Sequence, residues 1–261
     1  MHYLSLSGKK MQDFGLPVPQ QRTREVVDKM VDLQRNHAMF VHDSQYCLAL
    51  LTEEQCNIFD DIMHSVLNED PNHIMSFIEG CPGRGKTFLI QTILATLCAD
   101  FHIVLVVGTS ALSAIAYHQG RMAHYMFGIP VTDDNMDLHS KIPPHSARAD
   151  LIRHTKAIIW DELPMANNAT WECMNNLCQD ITRHYNLPFG GKKLIASGDF
   201  RQVAPVIPGC GEMATLAASV KTSHLWSKMH VYTLHAPIRT MSDSEFTCFI
   251  NDIGEDITNV C

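Results

Sequence analysis

The chain has 261 residues, 46% of them hydrophobic and 18% charged, and its 20 Lys and Arg against 28 Asp and Glu leave a formal charge of −8 with histidine neutral. This balance excludes a disordered chain and a basic nucleic-acid tail, and the length suits one large or two small domains. The first residues, MHYLSLSGKK, hold no apolar run suited to a signal peptide, and the most apolar stretch, Phe101 to Tyr117, is broken by His102, Thr109 and Ser110. The expectation is therefore a soluble intracellular protein with no membrane partner.

In chain order, the first fifty residues are mixed and polar, with one helix expected from Thr23 to about Phe40, where Val26, Val27, Met30, Val31 and Leu33 recur at helical spacing. A second helix should start at Thr52, because T-E-E-Q is a capping box in which the Thr52 hydroxyl and Gln55 each satisfy an orphan amide. Strands and helices then alternate. Ile74 to Glu79 is a short apolar strand, followed by a glycine-rich turn and a helix from Lys86 to Cys98. Ile103 to Val107 is a strand leading to a helix from about Ser110 to His118; Ala157 to Trp160 leads to a helix from about Asn168 to Tyr185; Lys193 to Ala196 begins another strand, and Val231 to Leu234 adds a further one. A short helix is expected from Ser242 to Ile253. Strands apolar on both faces and separated by helices predict an α/β fold with a parallel sheet covered on both sides.

The nine cysteines are scattered, with no C-x-x-C pair, and read as reduced and mostly buried thiols. Cys173 and Cys178 would lie about 140° apart around one helix, too far round to share a metal. No H-E-x-x-H occurs among the 15 histidines, and none is assigned to zinc.

Three segments carry chemistry. Gly80-Cys81-Pro82-Gly83-Arg84-Gly85-Lys86-Thr87 matches G-x-x-x-x-G-K-[ST] between a strand and a helix, where backbone amides can turn toward phosphate oxygens. Lys86 would reach the β and γ phosphates and Thr87 would hold Mg²⁺. Ile158-Ile159-Trp160-Asp161-Glu162 is an apolar strand ending in two acids, of which Asp161 can hold the hydration shell of Mg²⁺ and Glu162 can polarise the attacking water. Gly198-Asp199-Phe200-Arg201-Gln202 again follows an apolar strand, and Gln202 there can sense a γ phosphate. Each segment alone also fits an ordinary turn or strand end. Converging on one sheet edge, they suit a nucleotide hydrolase.

From about Leu51 to Asn259 the chain resembles the petite-integration-frequency (PIF) DNA helicases of superfamily one B, in particular the branch encoded by Helitron transposons. The resemblance rests on LTEEQ, GCPGRGKT, GRMAHYMFGIP, AIIWDELPM, PFGGKKLIASGDFRQVAPVIP, SHLW, LHAPIR and SEFTCFINDIGED, in this order. It implies a P-loop NTPase (RecA-like) domain over residues 51–240, a small helical N-terminal appendage over 1–50, and the start of a second motor domain at 241–261. It also implies ATP and Mg²⁺ as cofactors, single-stranded DNA as partner, roles in DNA repair, recombination and telomere maintenance, and a nuclear location. By resemblance, Gly80, Gly83, Arg84, Gly85, Lys86 and Thr87 form the phosphate loop. Asp161 and Glu162 are the metal and water acids, Gln202 the γ-phosphate sensor, and Arg239 an arginine that reaches the γ phosphate. Gln55 resembles the glutamine that contacts adenine, beside its capping role. Ser110, Arg121, His124 and Phe127 fall in the single-strand contact, with Phe127 equally suited to a core.

Departures from the family pattern are Ala111 in place of Gly, Tyr125 in place of Ser, and Pro237-Ile238 before Arg239 in place of Asn-Met. The proline removes an amide and fixes φ, which alters how Arg239 is presented. The family's second RecA-like domain is not expected within 261 residues. Because arginine fingers supply roughly 10³ to 10⁵ in turnover, slow hydrolysis is expected of this chain. The other reading is a non-catalytic ATP-binding module that docks on a full-length relative or on DNA.

Overall fold

The computed structural model describes residues 22–131, 138–202, 205 and 211–238. Six strands, β1 (Met75–Gly80), β2 (Val104–Gly108), β3 (Arg121–Met122), β4 (Ala157–Asp161), β5 (Lys193–Gly198) and β6 (His230–Leu234), form one sheet. Their order is β3-β2-β4-β5-β1-β6, and every pair is parallel. Parallel neighbours need a crossover on each connection, and helices provide it. Every residue of β2, β4 and β5 is buried, so both faces of the central sheet are covered, as the continuous apolar runs predict.

The helices are α1 (Arg24–Leu48), α2 (Glu53–Asn68), α3 (Lys86–Ala99), α4 (Ala111–Ile115), α5 (Ala123–Phe127), α6 (Ala147–His154), α7 (Asn168–Thr182) and α8 (Glu212–Ala217). No helix among the described residues is long and apolar enough to cross a membrane. The capping box of α2 is formed on both sides, with Gln55 N donating to Thr52 Oγ1 (3.3 Å) and Thr52 N to Gln55 Oε1 (3.1 Å). α4 is shorter than the helix expected from Ser110 to His118, and α7 ends at Thr182, three residues before Tyr185. The helix expected from Ser242 to Ile253 lies outside the described residues.

Helix α1 runs eight residues past the expected end. Beyond Phe40 its inward position is a polar residue, Ser44, hydrogen-bonded to Thr96 of α3 (2.9 Å), so apolar periodicity stops while the helix continues. Val26, Leu33 and Phe40 face the core at seven-residue spacing, whereas Val27 and Val31 are each 44% exposed. The sequence spacing therefore located the helix but mixed two of its faces. α1 packs on the core through this stripe, through His37 against the Ala99 carbonyl (3.1 Å), and through Thr23 and Glu25 against Asp150 (2.9 Å) and Arg148 (2.5 Å) of α6.

The amino-terminal edge of the sheet is held by two lysines. α2 and α6 end there, and their last carbonyls carry the negative pole of each helix. Lys193, 4% exposed, donates to Ser65 Oγ (3.2 Å) and to the carbonyls of Asp70 (2.5 Å) and His73 (2.7 Å). Lys192 donates to the carbonyls of Arg153 (2.5 Å) and Thr155 (3.0 Å). A cavity of about 430 Å³ opens beside them, lined also by Glu69 and Lys156, which pair at 2.7 Å. With its ammonium groups engaged by carbonyls and a carboxylate, this edge is a structural seam remote from the phosphate loop. Lys193→Met should cost about 2–3 kcal/mol, because several buried oxygens lose their donor. An unchanged urea midpoint for that variant would refute this role.

Candidate nucleotide site

The phosphate loop leaves β1 at Gly80 and enters α3 at Lys86. Gly83 and Gly85 take φ of 78° and 82°, the left-handed region that lets the backbone curl and direct its amides inward. A side chain at Gly85 would also collide with Gln55 Nε2 (2.5 Å) and Ile238 Cδ1 (2.7 Å). Lys86 Nζ donates to the Gly80 (2.6 Å) and Cys81 (3.3 Å) carbonyls of its own loop. Burial holds its pKa below the ordinary value, although Asp199, Glu162 and Asp161 pull it upward. Thr87 is exposed at the start of α3.

β5 lies between β4 and β1, so the carboxyl ends of three adjacent strands meet at this loop. Asp161 ends β4 and is 6% exposed. It accepts from Ser197 Oγ (2.5 Å) and the Glu162 amide (3.1 Å) on Oδ1, and from the Tyr117 hydroxyl (2.9 Å) on Oδ2. Glu162 follows with φ 56° and ψ 45°, an uncommon conformation for a residue with a side chain. Thr109 fixes it by donating to its carbonyl (2.9 Å), and Trp160 Nε1 in turn donates to Thr109 (3.0 Å). Burial, and then the charge of Asp161, push the Glu162 carboxyl above the usual range, with Lys86 pulling it back.

Gln202 is exposed at the end of the third segment, and its Nε2 donates to Asp199 Oδ2 (2.9 Å). Arg201 donates to Asp199 Oδ1 from its amide (3.0 Å) and from Nε (3.2 Å). Asp199 is 2% exposed. Burial would raise its pKa, but the bonds from Gln202 and Arg201 hold it below the ordinary value. Sequence reasoning named Gln202 and passed over Asp199, the residue that orients it.

Gln55 is 1% exposed, with Oε1 in the capping box and Nε2 3.5 Å from the Gly85 carbonyl. The capping role is therefore visible in the geometry, and its amide reaches the phosphate loop as well. Arg84 turns to the edge strand, donating from Nη1 to the Leu234 carbonyl (2.9 Å). The segment after β6 crosses the loop: the Ile238 amide donates to the Gly83 carbonyl (3.1 Å), and Glu54 accepts from the His235 (2.9 Å) and Ala236 (3.2 Å) amides. Arg239 itself lies outside the described residues.

The expected single-strand contact is partly corrected. Phe127 is 0% exposed in the core and has no surface to offer a base. Ser110 caps α4 through Ser113, and His124 is half-buried, its pKa lowered by that burial. Arg121 is exposed, 5.3 Å from the ring of Tyr125. Tyr125 is 61% exposed, and Arg148 lies on it at 5.4 Å. The surface aromatic is thus Tyr125, two residues from the one named, because Phe127 falls on the inward face of α5.

A parallel sheet whose adjacent strands end in a glycine loop with lysine, an acid pair and an oriented glutamine defines a RecA-like domain of the P-loop class. The PIF1-like helicase family is matched over residues 50–258, and the chain belongs to that family. It is similar to the ATP-dependent DNA helicase PIF1 of Candida albicans, at 26% identity over 198 residues, 73% of this chain and 22% of the relative. The crystal structure of the Pif1 helicase from Candida albicans superposes with a TM-score of 0.64 at 25% identity, covering 78% of this chain and 44% of that one. The Pif1 helicase from Bacteroides in complex with ADP-AlF3 and ssDNA shares the fold, with a TM-score of 0.63 at 21% identity over 78% of this chain and 46% of the other. The chain spans about a quarter of the length of the curated relatives it matches.

Proposed function

We propose that this domain is the first motor domain of an ATP-dependent DNA helicase of superfamily one B, of the Helitron-encoded branch, working in the nucleus on DNA repair, recombination or telomere maintenance. Residues 51–240 are the motor domain in this reading, with 1–50 preceding it and 241–261 leading to a second one. The observation that carries it is the meeting of the phosphate loop, Asp161–Glu162 and Gln202 at the ends of three adjacent strands. The names of the relatives support ATP and DNA as ligands.

Mg²⁺ fits the donor set. Asp161, Glu162 and Asp199 bring three carboxylates to the charge of Lys86, and Thr87 and Asp161 are hard oxygen donors of the type this cation takes. Among the described residues no group of three or more His, Cys, Asp or Glu is arranged to hold a metal. Thr87 and Asp161 are enough here, because the phosphates and water complete the shell. Bound there, the ion would neutralise charge on the transferring phosphate.

Within this domain the loop amides and Lys86 hold the β and γ phosphates. Glu162, its pKa raised, accepts a proton from the attacking water, and Gln202 senses the γ phosphate from its seat on Asp199. Gln55 faces the base side of the loop; contact with adenine requires the segment at Ile238 to move, since the glutamine is buried as it stands. Translocation needs two motor domains that close on ATP and open after hydrolysis, and the described residues supply one.

Single-stranded DNA would lie over Arg121, Tyr125 and Arg148, where an exposed ring flanked by guanidinium groups suits base stacking beside phosphate contact. Tyr125→Ala should weaken binding of a labelled single strand about tenfold in anisotropy while leaving the circular dichroism spectrum unchanged; equal affinity would remove Tyr125 from the track. The proposed function is tested by phosphate release with Mg²⁺, with and without single-stranded DNA. Stimulation by DNA supports a motor. ATP binding with neither turnover nor stimulation would instead support a binding module.

A further inference from the structure

Helix α1 lies before the residues matched to the helicase family, yet it reaches the surface assigned above to single-stranded DNA. A cavity of about 270 Å³ opens between α1 and the elements that carry Tyr125, lined by Lys29 of α1, Arg121 of β3 and Arg148 of α6. At roughly 30 Å³ for each water, it has room for a phosphate group with its hydration. Arg121 and Arg148 are the same two guanidinium groups that lie 5.3 and 5.4 Å from the Tyr125 ring. The cavity and the exposed ring are therefore neighbours that share two cations.

The charges lining this cavity are unevenly paired. Of its two acids, Glu25 is taken by Arg148 (2.5 Å), and Asp28 points to solvent, 3.7 Å from Arg24. Asp32, three residues beyond Lys29, has one oxygen on Asn36 (2.9 Å) and the other on His118 (2.9 Å). Among the described residues this leaves the Lys29 ammonium and the Arg121 guanidinium without a hydrogen-bonded acceptor, both facing the same space. Lys29 is half-buried, and that burial holds its pKa below the ordinary value although Asp32 pulls it upward. Two partly desolvated cations repel each other across a shared space. An anion between them removes the repulsion and accepts charge-assisted hydrogen bonds from both.

We propose that this cavity receives a backbone phosphate of the single strand whose base stacks on Tyr125, and that Lys29 is a DNA-binding residue supplied by α1. This rests on the reading of Arg121, Tyr125 and Arg148 as the strand's surface. A ring for the base beside a cationic hollow for the adjoining phosphate is the combination that holds single strands without regard to sequence. A strand engages both parts at once, whereas a free phosphate ion would fill the hollow alone.

The test is anisotropy of a labelled oligothymidine on the 261-residue chain, measured over a series of salt concentrations. Lys29→Met removes the charge and keeps the apolar stem. It should weaken binding roughly tenfold at low salt, and should make the slope of log affinity against log salt shallower by about 0.7, the share of one phosphate contact on a single strand. Tyr125→Ala should weaken binding with the slope unchanged, because stacking releases no counterion. An unchanged slope in Lys29→Met, with Tyr125→Ala still impaired, overturns the proposal and leaves the strand surface standing. A parent chain that binds no single strand overturns both. Displacement of the strand by inorganic phosphate beyond the effect of chloride at equal ionic strength would make the hollow a site for the free ion and also overturn the proposal. Should Lys29→Met fail to fold, acetylation of Lys29 in the parent by an amine-reactive ester, read by mass spectrometry, gives a second readout. Bound strand should slow it, and an equal rate with and without the strand rules the contact out.

Discussion

Glu162→Gln should bind MgATP within about twofold of the parent and release phosphate about 10²- to 10⁴-fold more slowly, the range over which a positioned base contributes. The amide keeps the shape of the side chain and the left-handed backbone that Thr109 and Trp160 pin in place. It cannot accept the proton of the attacking water. Because burial and Asp161 raise the pKa of Glu162, the parent should lose turnover as pH falls through a value above the ordinary carboxylate range. The carboxylate is the active form, so activity is present above that pKa and lost below it. The variant should lack this inflection. Binding and hydrolysis measured together decide the matter: if both vanish, Glu162 is structural.

Lys86→Ala should weaken MgATP binding by at least about 30-fold, since truncating one member of a buried charge pair costs about 2–5 kcal/mol. Folding should be spared. Among the described residues the ammonium donates only to the Gly80 and Cys81 carbonyls, and its burial already disfavours the charge, so removing it relieves a desolvated cation. Thermal melting of the free protein should therefore be level with the parent, while the stabilisation that nucleotide gives the parent should disappear. Unchanged nucleotide affinity would dismiss the phosphate loop as a binding site.

What was legible in the sequence was local. The glycine loop is read from a fixed spacing because Gly83 and Gly85 must take left-handed conformations that other residues resist. Asp161 and Glu162 are read from their place at the end of an apolar strand, and Thr52–Gln55 from a capping pattern that closes within one turn. Tyr117 gave no such signal. It lies forty-four residues from Asp161, to which its hydroxyl donates, and only the crossover that seats β2 beside β4 brings the two together. Asp199 was hidden for a different reason: a buried acid and an exposed one look alike in a sequence, and its role depends on the bonds from Arg201 and Gln202.

The single-strand segment shows the same boundary. Phe127 and Tyr125 both lie on α5, and spacing alone does not say which faces outward; packing against the core buries Phe127 and leaves Tyr125 between two arginines. α1 was likewise foreseen as a helix, yet its buried stripe and its last eight residues were settled by contact with α3 and α6. The sequence by itself determined the alternation of strands and helices, the parallel sheet and the three segments at its carboxyl edge, because these follow from backbone sterics and from apolar runs that must be buried. Tertiary structure alone decided which side chains orient the acids and which aromatic meets solvent, because hydrogen bonds and burial between distant segments exist only once the crossovers have set the strand order.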